Sequence, residues 1–306
     1  MCCLFGLIDY SHSFTGKQKA KIIHALATSA EVRGTDASGI AYNSGGKLHV
    51  YKRPVPGHQL PLRIPNDAAV IMGHTRLTTQ GNGKRNYNNH PFLGSAGITP
   101  FALAHNGVLH NDRVLRRSLK LPGTKIETDS YVAVQLIEKK RALTFDSLKY
   151  MAEKVEGSFS FTVLDGQDNL YFIKGDNPLC ICHYPERGLY LYASTEAILM
   201  DALLHIAYPL GELEQISICG GELLKISPEG ERQHSMFQFD DLFVFNCFRR
   251  WERQRNRRNE SDDYTRDLKS VAGAFGFSPD QIDQLLSSGF THEEVEEYLY
   301  CGEVWT

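Results

Sequence analysis

Four short apolar runs crowd residues 158 to 194: SFSFTVLD, LYFIKGD, LCICHY and GLYLYAS. Each is rich in β-branched and aromatic residues, and Gly, Asp, Asn and Pro punctuate the gaps. Their close spacing and order predict an antiparallel sheet. This constrains the whole chain, because such a sheet must bury its apolar face against other elements.

The remaining sequence supplies those elements. CCLFGLID, at 2–9, reads as a short buried strand. GIAYNSG and KLHVYKRP read as a hairpin turning at SGG, and GGELLKISPEGERQ as a final hairpin. AAVIMGHTRL and PFALAHNGVL are apolar and then abruptly polar, the pattern of strands that end at a site. Helical periodicity runs from Gly16 to Ala30, with Ile22, Ile23, Leu26 and Ala27 on one face and Thr15 as N-cap. A second helix is expected from Thr128, burying Val132 and Leu136. A third follows Thr144, burying Leu148, Met151, Ala152 and Val155, and STEAILMDALLHIA is a fourth. The sum is an α+β layered fold with strands in two antiparallel runs and helices segregated between them. No parallel β-α-β repeat is visible, and SGGK and GNGK are turns rather than phosphate loops.

Composition shifts after Asn246. FRRWERQRNRRNESDD is arginine-rich and then acidic, which reads as a linker. DLKSVAGAFGF, SPDQIDQLLSSG and THEEVEEYLY then predict three short helices, with start signals at Ser278–Pro279 and Thr291–Glu294. The expected organisation is a domain over 2–245, a charged linker over 246–263 and a small helical extension over 264–306. The formal charge of −3 gives no global drive toward nucleic acid or membrane. No stretch approaches the ~18–20 apolar residues of a spanning helix, and no secretory leader is visible. Arg249 to Arg258 have acidic neighbours and a single aromatic, Trp251, so a solvated linker or an interdomain contact is expected there and not a nucleic-acid surface.

The seven cysteines are odd in number and lack C-x-x-C spacing, which argues against a disulfide framework and a Cys-rich zinc site and points to a reducing, cytoplasmic setting. Cys180 and Cys182 with His183 have no second ligand pair. His74, His90 and His105 read as hydrogen-bonded loop histidines. No metal and no cofactor are expected.

Chemistry enters at the first residues. Cys2 follows Met1 and is small enough for aminopeptidase removal of Met1 to be expected. Removal would leave a thiol and a free α-amine on one residue, and an amine of pKa about 7.7–8 can serve as the base. Arg76, in GHTRLTTQG, closes an apolar run and suits bidentate capture of a carboxylate, or else a surface ion pair. In LAHNGVLHN, the Asn106 amide and Gly107 N–H could form an oxyanion hole, or Asn-Gly could be a hairpin turn. Asp129, in KIETDSYVAVQL, could bind an ammonium or cap the following helix.

Taken together and in this order, these stretches resemble the class II glutamine amidotransferases of the N-terminal-nucleophile hydrolase fold. MCCLFG, VRGTDASGIA, GHTRLTTQG, NNHPF, HNGVLHN and ETDS are similar to six of that family's blocks, over roughly residues 2–245. The resemblance implies a four-layer αββα sandwich of two antiparallel sheets. It implies that Cys2 attacks the γ-amide of L-glutamine, with Asn106 and Gly107 holding the oxyanion. Arg76, with Thr79 nearby, would bind the substrate carboxylate, Asp129 its ammonium, and Arg33 would buttress the nucleophile. Glutamate and ammonia would leave by way of a γ-glutamyl thioester, and the ammonia would pass to a synthase on a separate chain.

Some positions depart from the family pattern. Cys3 replaces a glycine, and strand alternation makes it a buried filler facing away from the substrate. Leu77, Thr78, Gln80 and Thr35 also differ, which bears on substrate preference and coupling to a partner. Another γ-glutamyl compound as substrate, or a glutamine sensor without catalysis, are the alternatives. The tail reads as a docking or dimerisation element, and homo-oligomerisation is left open.

Overall fold

The computed structural model describes residues 2–239, 265, 269, 272, 277–290 and 295. Packing divides the chain into two compact units, Met1–Asp240 and Asp241–Thr306. The charged linker expected over 246–263 lies outside the described residues. So do the helices expected at 267–277 and 291–300, save Lys269, Ala272, Phe277 and Val295.

The first unit is built on two antiparallel sheets. One contains seven strands: β1 (Cys3–Asp9), β2 (Ala37–Ser44), β3 (Lys47–Arg53), β4 (Val70–Arg76), β9 (Cys180–Tyr184), β10 (Leu189–Ala193) and β11 (Glu214–Ile216). Their order is β11-β9-β10-β1-β4-β2-β3. The other contains β5 (Phe92–Ala96), β6 (Thr99–Leu109), β7 (Gly157–Asp165), β8 (Leu170–Lys174), β12 (Glu222–Ile226) and β13 (Arg232–Met236), in the order β13-β12-β8-β7-β6-β5. The four runs between 158 and 194 therefore do not form one sheet, as their spacing had predicted. β7 and β8 pair in the six-stranded sheet, whereas β9 and β10 pair in the seven-stranded one. Gly175 to Leu179 carry the chain across, and sequence spacing alone cannot distinguish a turn within a sheet from a step between sheets.

Alternation along each strand sorts the apolar residues into three layers. Leu4, Ile8, Val70, Met72, Ala102, Ala104, Phe172 and Tyr192 fill the space between the sheets. Cys3, Phe5, Leu7 and Ile71 face outward from the seven-stranded sheet, where α1 (Gly16–Ser29) and α5 (Glu196–Leu204) cover them. Leu103, Phe159, Phe161 and Val163 face outward from the six-stranded sheet, under α3 (Tyr131–Lys140) and α4 (Phe145–Lys154). The result is helix, sheet, sheet, helix. α2 (Asp112–Ser118) connects β6 to the segment before α3. At about 1.5–3 kcal/mol for each fully buried Leu, Ile or Phe, these layers are the principal source of stability.

Local signals set the ends of the helices. Thr15 and Thr144 cap α1 and α4 in capping boxes, with Gln18 and Ser147 as the reciprocal partners. In the second unit α6 (Pro279–Ser287) starts with the same device, Ser278 with Gln281, as the sequence predicted. Ala272, Ile282 and Val295 form its small apolar cluster.

One ion pair is sealed in the first unit. Lys19 on α1 lies 3.1 Å from Asp9 at the end of β1, and neither side chain is exposed. Lys19 also donates to the carbonyls of Ala68 and Asn66, while Asp9 accepts from the Ser13 and Phe14 amides. Removing one partner leaves the other charge buried and unpaired. Lys19→Met is expected to cost about 3–5 kcal/mol of unfolding free energy, read by urea denaturation. A loss below about 1 kcal/mol would contradict this account.

Candidate active site

The register of β1 against β4 pairs Cys3 with Thr75, so Cys2 lies beside the end of β4. Cys3 faces the helix-side core, and alternation turns Cys2 the other way, toward the space between the sheets. The Cys2 thiol donates to the Leu77 carbonyl at 3.6 Å. Burial pushes this thiol up, a hydrogen bond with the Leu77 backbone and the Arg76 guanidinium pull it down, and the Asp129 carboxylate raises it, so both charged groups act electrostatically on Cys2.

Arg76 is the last residue of β4 and shares the face of Met72 and His74. It is not a surface ion pair: it is buried, donating to Asn89 Oδ1 at 2.6 Å and to the Gln80 carbonyl at 2.5 Å. Asn89 belongs to a loop that Lys52 pins through the Asn89 and Pro91 carbonyls. Burial, with Arg76 nearby, draws the Lys52 amine down to about 8.

The 32–41 segment wraps the same strand end. Arg33 Nε donates to the Cys2 carbonyl at 3.1 Å, and the Asp36 amide donates to the Arg76 carbonyl. Gly34 lies so close to the Arg76 backbone that a Cβ would sit 2.4 Å from it, which requires glycine there. Thr79 is exposed on the following loop.

Asn106 and Gly107 lie inside β6 and are not a hairpin turn. Asn106 shares the inter-sheet face of Ala102 and Ala104. Its side chain is fully buried, yet neither Oδ1 nor Nδ2 has a hydrogen-bond partner. Leaving such atoms unpaired costs about 1–3 kcal/mol, so the amide stands ready for a group that the fold does not supply. Gly107 has φ +142, and a Cβ there would meet the Ser158 carbonyl at 2.0 Å. Asp129 does not cap α3 with its side chain. Its Oδ2 accepts from the Leu109 amide at 2.7 Å and its Oδ1 from Ser130 Oγ at 3.3 Å, tying it to the end of β6.

The structure thus gathers Cys2, Arg76, Asp129, Arg33, Asn106 and Gly107 around the facing ends of β1, β4 and β6. Sequence reasoning missed Asn89, which holds Arg76, although NNHPF was among the matched blocks. It also missed Lys52 and Asn177, which lie in stretches that read as an ordinary strand and turn. Cys180 and Cys182 face the helix-side core, whereas His183 bonds Glu214 and Tyr10. Among the described residues no group of three or more His, Cys, Asp or Glu could hold a metal.

Behind the site lie three buried histidines. His74 Nε2 is 3.0 Å from the His105 carbonyl, which can only accept, so Nε2 carries the proton. The His74 and His90 rings lie 4.2 Å apart, and neither nitrogen of His90 has a partner. Burial draws His74 from 6.5 to about 3, His105 to about 4 and His90 well below its usual value. Between pH 6.5 and 4 the unfolded chain therefore binds more protons than the folded one, and stability falls as pH drops. Each imidazole contributes a slope of about 1.4 kcal/mol per pH unit. Unfolding free energies at pH 5 and 6 are expected to differ less in His90→Phe than in the parent, by about that amount. Equal pH slopes would contradict this.

The comparisons agree with one another. A profile described as "Glutamine amidotransferase domain" matches residues 74–201. The glutamine–fructose-6-phosphate aminotransferase (isomerizing) of Sulfurisphaera tokodaii is 32% identical over 190 residues, 59% of this chain and 31% of that enzyme. The amidophosphoribosyltransferase of Methanocaldococcus jannaschii is 31% identical over 236 residues, 73% of this chain and 48% of that enzyme. The chain thus spans about a third to a half of these relatives. In fold it resembles the glutamine phosphoribosylpyrophosphate amidotransferase of B. subtilis, with a TM-score of 0.60 at 22% identity, over 78% of this chain and 50% of that one.

Proposed function

The chain carries a glutamine amidotransferase domain of the N-terminal-nucleophile fold, homologous to those of the aminotransferase and amidophosphoribosyltransferase relatives, and on that premise we propose that it hydrolyses the γ-amide of L-glutamine through Cys2. With Met1 removed, the Cys2 α-amine takes the thiol proton as Sγ attacks the γ-carbonyl carbon. Asn106 Nδ2–H and Gly107 N–H hold the oxyanion of the tetrahedral intermediate. The α-ammonium returns the proton to the leaving nitrogen, ammonia departs and a γ-glutamyl thioester remains. Water attacks the thioester with the α-amine again as base, and glutamate leaves.

The single observation that carries this reading is the Asn106 amide, buried and unpartnered on the inter-sheet face that Cys2 shares. Two further features support it. Asn89 and the Gln80 carbonyl occupy two of the five Arg76 donors and leave the others for a substrate carboxylate. Asp129, anchored by Leu109 N–H, is coupled electrostatically to the same thiol and suits a substrate ammonium. Arg33 holds the Cys2 carbonyl, and Thr79 is assigned to the rim of the carboxylate site.

The reading extends to an acceptor. Both curated relatives are named as transferases, which supports a synthase as recipient of the ammonia, and we place it on a separate chain. The cytoplasm is the setting we assign. Cys2, Cys3, Cys180 and Cys182 are free thiols, and no described helix is long and apolar enough to cross a membrane.

The test is release of glutamate and ammonia from glutamine by the purified chain. Cys2→Ala is expected to abolish turnover, and Asn106→Leu to lower kcat by about 10²–10³-fold. Arg76→Lys is expected mainly to raise KM, because a point charge cannot replace a bidentate fork. Turnover that survives Cys2→Ala would overturn the reading, and faster turnover of γ-glutamyl dipeptides would move it to another substrate.

A further inference from the structure

Asn177 stands in none of the matched blocks, yet its side chain reaches the backbone of the proposed oxyanion hole. Its Nδ2 donates to the Asn106 carbonyl at 2.9 Å. That carbonyl and the Gly107 N–H belong to one planar trans peptide, so they point in opposite directions. Fixing the carbonyl therefore fixes the direction of the N–H. A donor on the carbonyl also polarises the peptide and makes its N–H the stronger donor.

The surroundings are arranged around this contact. Asn177 follows β8 in the segment that crosses to the other sheet, and that segment is held on β7. Phe159 N–H donates to Asp176 Oδ1 at 2.8 Å, and Gly175 N–H donates to the Phe159 carbonyl at 3.1 Å. Ser160 Oγ donates to the Asn177 carbonyl at 2.6 Å. Opposite lies Gly107, where a Cβ would stand 2.6 Å from Asn177 Nδ2, so the glycine also admits the amide.

The neighbouring carbonyl is held separately. β5 pairs β6 only as far as Leu103. His74, from the facing sheet, donates to the His105 carbonyl beyond that point. Two consecutive carbonyls of β6 thus receive side-chain donors from two directions, one on each side of the residue whose amide is left free.

We infer that Asn177 is a positioning residue for glutamine hydrolysis, aiming the Gly107 N–H at the oxyanion through its bond to the Asn106 carbonyl. The inference rests on the function proposed above. Asn177 acts through the Asn106 peptide, so its loss is expected to act on the transition state and to leave glutamine binding nearly unchanged.

The experiment compares the full-length chain with Asn177→Ala and Asn177→Asp. In Asn177→Ala, kcat is expected to fall about 10- to 100-fold, less than for loss of a direct donor, with KM nearly unchanged. Alkylation of Cys2 by iodoacetamide forms no oxyanion and is expected to proceed at the parent rate. In Asn177→Asp the carboxylate faces the Asn106 carbonyl at neutral pH. Protonation below about pH 5 restores an O–H donor, so the ratio of variant to parent kcat is expected to rise as pH falls. Parent-like kcat in Asn177→Ala, or a ratio for Asn177→Asp that stays flat with pH, would overturn the inference while the proposed function stands. A parent chain that leaves glutamine intact would overturn that function, and the inference with it.

Discussion

The register between β1 and β4 is the constraint on which the site depends. Pairing Cys3 with Thr75 sets Cys2 beside Arg76 and gives both residues the inter-sheet face. A slip of one residue would exchange the two faces of β1. Cys2 would then point under α1, and Phe5 and Leu7 would crowd the space between the sheets. The slip is opposed by the apolar layers on both sides and by the buried Lys19–Asp9 pair at the far end of β1. The same contacts that stabilise the core therefore also aim Cys2, the proposed nucleophile.

The second sheet brings the remaining groups to this point, with polar contacts that a purely apolar core would lack. The His74 bond to the His105 carbonyl ties β4 to β6. Asn177 holds the next carbonyl, Asp129 holds the Leu109 amide, and a positive φ at Gly107 bends the backbone between them. Among these contacts both polar atoms of the buried Asn106 side chain are left without a partner. On the proposed function, the stability given up there would be recovered when substrate fills the place, as expected of a preorganised site.

Much of this was legible in the sequence. The helices carry their own punctuation, and Thr15, Thr144 and Ser278 cap where the motif says they should. The alternation of CCLFGLID already placed Cys3 in the core and Cys2 opposite it. Ordered blocks singled out Cys2, Arg33, Arg76, Asn106, Gly107 and Asp129 as candidates, because the proposed chemistry needs particular residue types. Sheet membership was not legible. Four closely spaced strands look alike whether they stay in one sheet or step between two, since that choice lies in long-range pairing. Supporting contacts were hidden for a similar reason. Asn177 lies 71 residues from the carbonyl it holds, and in Asp-Asn-Pro it reads only as a turn. Nor could the strand pattern of β3 show that Lys52 pins the loop holding Arg76.

The most direct measurement is the intact mass of the purified chain before and after treatment with the glutamine analogue 6-diazo-5-oxo-norleucine. The account predicts a mass lacking Met1 and a single adduct on Cys2, absent in Cys2→Ala. A chain that retains Met1, or one lacking Met1 that takes no adduct, would contradict the claim that Cys2 with its own α-amine attacks a glutamine-shaped substrate.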